Sequence, residues 1–326
     1  MSAVPWADPT FTEMAHAWIR EHCASLGIVI TGAIEQPHVR PWSTVFRAPT
    51  GRDAVYLKCC GGNQAHEPRL TALLAETRPT LLPTVLALHE SRPWMLLADG
   101  GAKLRDLDAG PAFDVWTDIL ARYAELQREV VPRVDELVAI GTPDHRLEHL
   151  AGAFESLLRD PRVMDAVVEE PLTLDERARL FAILPRVARE AAELAALGIP
   201  PSVQHDDLHD ANVLVRDGRR VVFDWGDACV SHPFFTTLIV WRVLVDRGVA
   251  PDAPELERLR DVYLEPWGAI ASRERMLAAY RFVPRLGVVD RVLTWHRVAT
   301  FADDAALPYV ARSEVGWLRE ILLAFS

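Results

Sequence analysis

The sequence predicts an α+β protein of two lobes, a small antiparallel sheet in residues 1–100 and a mainly helical body in 101–326. Three observations lead there. Strand-like segments crowd the first hundred residues, helical periodicity takes over after Gly100–Gly101, and a single Asp-Gly hairpin interrupts the helices at 213–224.

The strands come first. "WSTVFRA" (42–48) and "DAVYLKC" (53–59) are rich in β-branched and aromatic residues, and the turn-forming "PTGR" between them predicts a hairpin. A helix follows, with Leu70, Leu73 and Leu74 at helical spacing and Pro68 suited to its first turn. "PTVLALHE" and "PWMLLAD" are two further strands, the second running into Gly100–Gly101. Beyond them Phe113, Trp116, Leu120, Tyr123 and Leu126 share one helix face, and Leu147, Leu150, Phe154 and Leu157 mark another. "ERARLFAILPRVAREAAELAALG" is a third helix, kinked at Pro185 and closed by Gly198. In "VLVRDGRRVVFD" the Asp217–Gly218 pair between short apolar runs is a strong hairpin signal. From 233 onward the pattern is helical again, with Trp241, Trp267 and Trp295 as core or groove residues.

The formal net charge of −11 argues against a non-specific nucleic-acid surface and is compatible with a cationic small-molecule substrate. Cys23, Cys59, Cys60 and Cys229 lack metal-ligand spacing and read as reduced, packed thiols. "MSAVPWADPTF" has no basic segment followed by an apolar core, and charge interrupts every apolar run before it could span a bilayer. The expectation is a soluble cytoplasmic protein with no membrane partner.

The densest chemistry lies in "HDDLHDAN", residues 205–212. With a two-residue turn at Asp217–Gly218, Arg216 pairs with Arg219, Val213 with Val222, and Asn212 lies opposite Phe223, next to Asp224. Cross-strand Cβ atoms are about 4.5–5.5 Å apart and diagonal ones about 7–8 Å, so the Asn212 amide oxygen and the Asp224 carboxylate emerge at one end of the hairpin. Two such oxygens are too few for Ca²⁺ but suit Mg²⁺, which takes its other ligands from water and phosphate. Asp207, in the loop leading into the hairpin, is placed to accept a proton. Together these are the requirements of phosphoryl transfer.

These residues resemble a known family. "HDDLHDAN" is similar to the His-x-Asp-x-x-x-x-Asn catalytic loop of aminoglycoside phosphotransferases and related small-molecule kinases, and "VVFDWGD" to their metal-binding segment. The resemblance implies a two-lobed protein-kinase-like fold, with a nucleotide-binding lobe (1–100) and a lobe carrying catalytic loop and acceptor site (101–326). It implies ATP or GTP as co-substrate, Mg²⁺ on Asn212 and Asp224, Asp207 as catalytic base, and His205 and His209 shaping the loop. Lys58 in "AVYLK" resembles the phosphate-positioning lysine of kinases, and Glu67 its ion-pair partner, with Glu76 as the fallback. Ser43 and Thr44 would cover the phosphates, and Leu97, Ala98 and Asp99 resemble the hinge that reads adenine. The resemblance spans about residues 38–245. Two departures stand out: Asp206 where family members often have Gly, and Gly226 where aminoglycoside and choline kinases often carry an acidic residue.

The implied acceptor is the hydroxyl of a small molecule such as an aminoglycoside, amino sugar or amino alcohol. Two other readings compete: a catalytically silent nucleotide-binding pseudokinase, and a zinc-dependent hydrolase using His205 and His209. Asp227 reads as a supporting acid near the site; Asp261, Glu265, Asp303 and Asp304 read as helix-surface carboxylates.

Overall fold

The computed structural model describes residues 5–51, 53–107, 110–165, 168–302 and 306–326. Asp303 and Asp304 lie outside them.

A helix that the sequence reading did not anticipate opens the chain. α1 (Pro9–Ser25) starts on Asp8, whose side chain accepts from the Thr10 N–H, and buries Phe11, Ala15, Ile19 and Cys23 at four-residue spacing. That stripe covers the outer face of a five-stranded antiparallel sheet built from β1 (Glu35–Val39), β2 (Ser43–Thr50), β3 (Asp53–Cys60), β4 (Val85–Leu88) and β5 (Trp94–Ala98), in the order β1-β2-β3-β5-β4. The predicted hairpin is therefore β2–β3, and β1 is an additional edge strand. Its "EQPHV" has too few apolar residues to signal a strand, and Pro37 suits only an edge. Between β3 and β4, α2 (Glu67–Thr77) turns Leu70, Leu73 and Leu74 into the core of the second lobe.

Two glycines make the crossing between lobes. After β5 the chain forms β6 (Ala102–Lys103), which pairs with the hairpin strand Val213–Arg216. Gly101 has φ +100°, and a Cβ there would lie 2.4 Å from the Val215 carbonyl oxygen; one on Gly100 would lie 2.5 Å from Leu214. Only a side-chain-free backbone approaches this closely.

The helical lobe carries α3 (Phe113–Val130), α4 (Val134–Ala139), α5 (Leu147–Leu158), α6 (Pro161–Met164) and α7 (Leu174–Ala195). α7 runs on through Pro185, and Gly198 follows it in the left-handed region at φ +70°. Three short strand segments come next: β7 (Ser202–Gln204), the hairpin β8 (Val213–Arg216) and β9 (Arg219–Val222), and β10 (Cys229–Ser231), which pairs with β7. Asp217 (φ +49°) and Gly218 (φ +77°) form the turn, and the register is Arg216 with Arg219 and Val213 with Val222, as the sequence requires. α8 (Thr237–Asp246), α9 (Pro254–Leu264), α10 (Arg273–Tyr280), α11 (Val288–Phe301) and α12 (Leu307–Ala324) complete the lobe. Its core joins Trp116, Tyr123, Phe154, Trp225, Phe234, Tyr263 and Trp267; Trp241 and Trp295 are only partly buried. No helix among the described residues is long and apolar enough to cross a membrane.

Candidate active site

The loop from β7 into the hairpin is braced from beneath. Ser202 Oγ donates to the Gln127 carbonyl (2.5 Å), and Gln127 Nε2 donates to the Val203 carbonyl (2.8 Å). His205 is fully buried beside the Trp225 ring. Its Nε2 donates to the Phe223 carbonyl (3.0 Å), and its Nδ1 accepts the Asp207 N–H (3.3 Å). Burial lowers its pKa, which keeps the ring neutral, as this bonding requires. The imidazole is thus a spacer between loop and hairpin, with both nitrogens spent, and no zinc ligand. Asp206 has φ +62°. That explains the departure noted above: the position needs left-handed backbone, where Gly is best and Asp among the tolerated residues.

Asp207 is held at both oxygens. Oδ2 lies 3.2 Å from His209 Nε2 and accepts from Asn212 Nδ2 (3.3 Å), which also donates to the Asp207 carbonyl (2.9 Å). Oδ1 accepts from Arg291 Nη2 (2.9 Å). Burial acts to raise the Asp207 pKa, but Arg291 and then His209 outweigh it and hold the carboxyl well below the usual range. Asn212 spends its N–H groups on Asp207, so its amide oxygen is the end left for a ligand. His209 also accepts the Ala211 N–H at Nδ1 (3.1 Å), which starts a short turn at Asp210. Buried Asp210 is gripped by Arg105 Nε (2.7 Å) and Arg247 Nη2 (2.5 Å).

From the first lobe comes Lys58. Its Nζ lies 2.6 Å from Glu67 Oε1 and 2.6 Å from Asp224 Oδ1. Burial works against the charged amine, yet Asp224 and Glu67 raise its pKa well above the ordinary lysine value. Glu67, fully buried at the start of α2, is pushed upward by burial against the pull of Lys58, and takes a bond from Cys60 Sγ (3.3 Å). Glu76 is exposed on the last turn of α2. Asp224 sits at φ +65°, a sharp turn that ends the hairpin, and Lys58 holds its carboxyl low against the effect of burial.

Other expected residues fall differently. β2 pairs Thr44 with Cys59, on the α1 face of the sheet, and Val45 with Lys58. Thr44 is accordingly buried away from the cleft, its hydroxyl donating to the His38 carbonyl (2.8 Å) and accepting from Gln36 (2.9 Å). This corrects the expectation that it covers phosphates: alternation along the strand turns it inward. Ser43, opposite Cys60, is on the Lys58 face but buried. His38, paired with Val45, shares that face and lies within electrostatic reach of Asp224 and Lys58; it was missed because β1 was. At the hinge, Leu97 pairs with Tyr56, the Ala98 N–H donates to the Thr84 carbonyl (3.0 Å), and the Asp99 carbonyl accepts from Arg216 (3.3 Å).

Arg291 was also missed. Its Nη1 reaches Asp227 (3.1 Å) and Asp206 (3.3 Å) while Nη2 holds Asp207. The one signal in the sequence is an Asp-Arg pair set in the apolar run "VVDRVLTW". Asp290, beside it, is buried against Ser231 Oγ (2.8 Å) and His145 Nδ1 (3.2 Å), which fixes α11 to β10. Gly226 leaves the space that the Gln64 side chain fills, 2.5 Å from where a Cβ would stand, and Gln64 Nε2 donates to Asp227 (3.3 Å). Asp261 is ion-paired to Arg260 (3.1 Å) and Arg273 (2.8 Å) on the helix surface, and Glu265 is exposed.

Residues 63–279 match the model of the phosphotransferase enzyme family. The chain belongs to that family. Glu67, Asp207, Asn212 and Asp224 fall inside the matched span; Lys58 precedes it and Arg291 follows it. Comparison with curated protein sequences gives no match. Among solved structures, the family member is similar to choline kinase LicA from Streptococcus pneumoniae (13% identity, TM-score 0.58, covering 94% of this chain and 99% of that one). It is similar also to an ethanolamine kinase from Plasmodium vivax (12%, 0.55, covering 88% and 82%) and to a type I macrolide 2′-phosphotransferase (14%, 0.54, covering 96% and 98%). At such identities the likeness is one of fold, the two-lobed kinase-like α+β architecture.

Proposed function

We propose that this phosphotransferase-family protein moves the γ-phosphoryl group of ATP or GTP to a hydroxyl of a small molecule. The observation that carries the reading is the meeting of Lys58, Glu67 and Asp224 across the two lobes, beside a loop in which Asn212 steadies Asp207. Residues 1–100 would bind the nucleotide, with Leu97–Asp99 along the base and Lys58 on the phosphates. Residues 101–326 would carry the catalytic loop and the acceptor.

Asp207 accepts the acceptor's hydroxyl proton as that oxygen bonds to the γ-phosphorus, and the bond to the departing nucleoside diphosphate breaks. Its low pKa suits it to aligning the hydroxyl and taking the proton late, rather than ionising the acceptor beforehand. Asp224 and the Asn212 amide offer the hard oxygen donors that Mg²⁺ takes, and the metal when bound would neutralise charge on the phosphates. Lys58 contributes a positive charge held in place by Glu67 and Asp224, so it costs little reorganisation when negative charge builds up.

Incubation with Mg–ATP or Mg–GTP and a panel of sugars, amino sugars, aminoglycosides and amino alcohols tests this. Nucleotide consumption should rise with one acceptor class, and mass spectrometry should find the phosphorylated product. Mg–ATP binding with no transfer across the whole panel would favour the pseudokinase reading instead.

A further inference from the structure

Arg291 occupies a place that a ligand's cation would otherwise claim. Three carboxylates surround its guanidinium, those of Asp206, Asp207 and Asp227, at 2.9–3.3 Å. Two indole rings flank it, with Cζ 5.5 Å from the Trp295 centroid and 5.9 Å from that of Trp317. Carboxylates together with aromatic faces are what recognition of an ammonium group calls for. Here the cation belongs to the chain itself, in a helix beyond the span matched by the family model.

Exposure shows what an acceptor would meet. The Arg291 and Asp206 side chains are 4% and 2% exposed, whereas Asp207 and Asp227 are 27% and 20% exposed. An incoming molecule therefore touches the open edges of two carboxylates that already share one guanidinium behind them. A second guanidinium, that of partly buried Arg297, stands nearby, donating to the Asn63 and Gly226 carbonyls (2.9 and 3.3 Å). Arg291 cannot swing out to make room: leaving a guanidinium or its carboxylates buried without partners is strongly unfavourable, and α12 presses Trp317 against it.

We propose that Arg291 is the resident cation of the acceptor site, fixing Asp207 in place and making the protein select uncharged hydroxyl acceptors, such as neutral sugars or polyols, over amines. An ammonium at this spot would face the like charge of Arg291 and compete with it for the Asp207 and Asp227 oxygens it already holds. The inference rests on the phosphotransferase reading above and narrows its acceptor class.

The test is kcat/KM for matched acceptor pairs that differ in one group, a neutral sugar against its amino-sugar counterpart. The wild type should prefer the neutral member by about tenfold or more, the scale on which a single group is discriminated in a binding site. Arg291→Lys should keep the preference, and Arg291→Gln should narrow or reverse it through KM for the amine. A wild-type preference for amines overturns the inference while leaving phosphotransfer standing, and so does an unchanged ratio in a folded Arg291→Gln. The wild-type ratio decides alone if that variant does not fold. Absence of transfer to every acceptor overturns the phosphotransferase reading and this inference with it.

Discussion

Lys58 Nζ lies 2.6 Å from Asp224 Oδ1, although 166 positions separate the two residues. One belongs to a central strand of the first lobe and the other ends a hairpin of the second. Glu67 of the first lobe bonds the same amine at 2.6 Å, so the lysine is shared between the lobes.

The first prediction follows from that sharing. Lys58→Met strands Glu67 in a fully buried position, and breaking a buried pair from one side costs about 3–5 kcal/mol. The double variant Lys58→Met/Glu67→Gln should recover a sizeable part of that loss. Urea unfolding of the two single variants and the double checks it. Additive losses would mean that the pair is not coupled.

Asp207→Asn keeps the shape of the side chain and removes the proton acceptor. Arg291 retains Asp206 and Asp227 as partners, so the fold should persist. Turnover of an identified acceptor should fall by about 10²–10⁴, with the melting temperature little changed. Equal rates in wild type and variant would remove Asp207 from the proposed chemistry.

Asp206 gives a prediction about backbone. At φ +62° a Cβ costs roughly 1–2 kcal/mol unless a short polar side chain offsets it. Asp206→Gly should therefore be more stable than Asp206→Ala by about 1 kcal/mol, although both lose the same bond to Arg291. Equal denaturation midpoints would contradict the conformational argument.

A fourth prediction concerns acid stability. α7 begins in a capping box, Thr173 with Glu176, and Arg319 of α12 bonds the same carboxylate (2.9 Å). The Arg319 bond, with the Thr173 N–H, brings the Glu176 pKa down from 4.5 to about 2. A carboxyl depressed on folding contributes stability that is fully present above 4.5 and is lost as the pH falls towards 2. Glu176→Gln should lower stability at neutral pH and flatten this part of the acid profile, measurable by thermal melts between pH 6 and 2. A wild-type-like slope in the variant would assign the acid loss elsewhere.

How much of this could be read beforehand depended on whether a feature was local. Asp217–Gly218 fixed the hairpin register, because both positions need left-handed backbone and the apolar runs on either side set the pairing. From that register alone Asn212 and Asp224 fall at one end. Lys58 was legible as the close of an apolar strand ahead of a helix. What was not legible came from distant segments or weak local signals. Arg291 meets Asp207 across 84 positions, and no spacing rule links them. β1 has neither alternation of apolar residues nor a turn motif, so nothing local marked His38 as a residue of the Lys58 face. The amphipathic stripe of α1 was present in the sequence, and Asp8-Pro9 was a usable start signal that went unread.

Lys58 and Asp224 are proposed to hold a metal-bound nucleotide jointly, and calorimetric titration of ATP into the protein with and without Mg²⁺ measures that grip. Tight binding that depends on Mg²⁺, and that weakens at least about tenfold, or by 1.4 kcal/mol, in folded Lys58→Met and in folded Asp224→Ala, is the predicted result. Binding unaffected by Mg²⁺ and by both substitutions, or no binding of ATP or GTP at all, would contradict it.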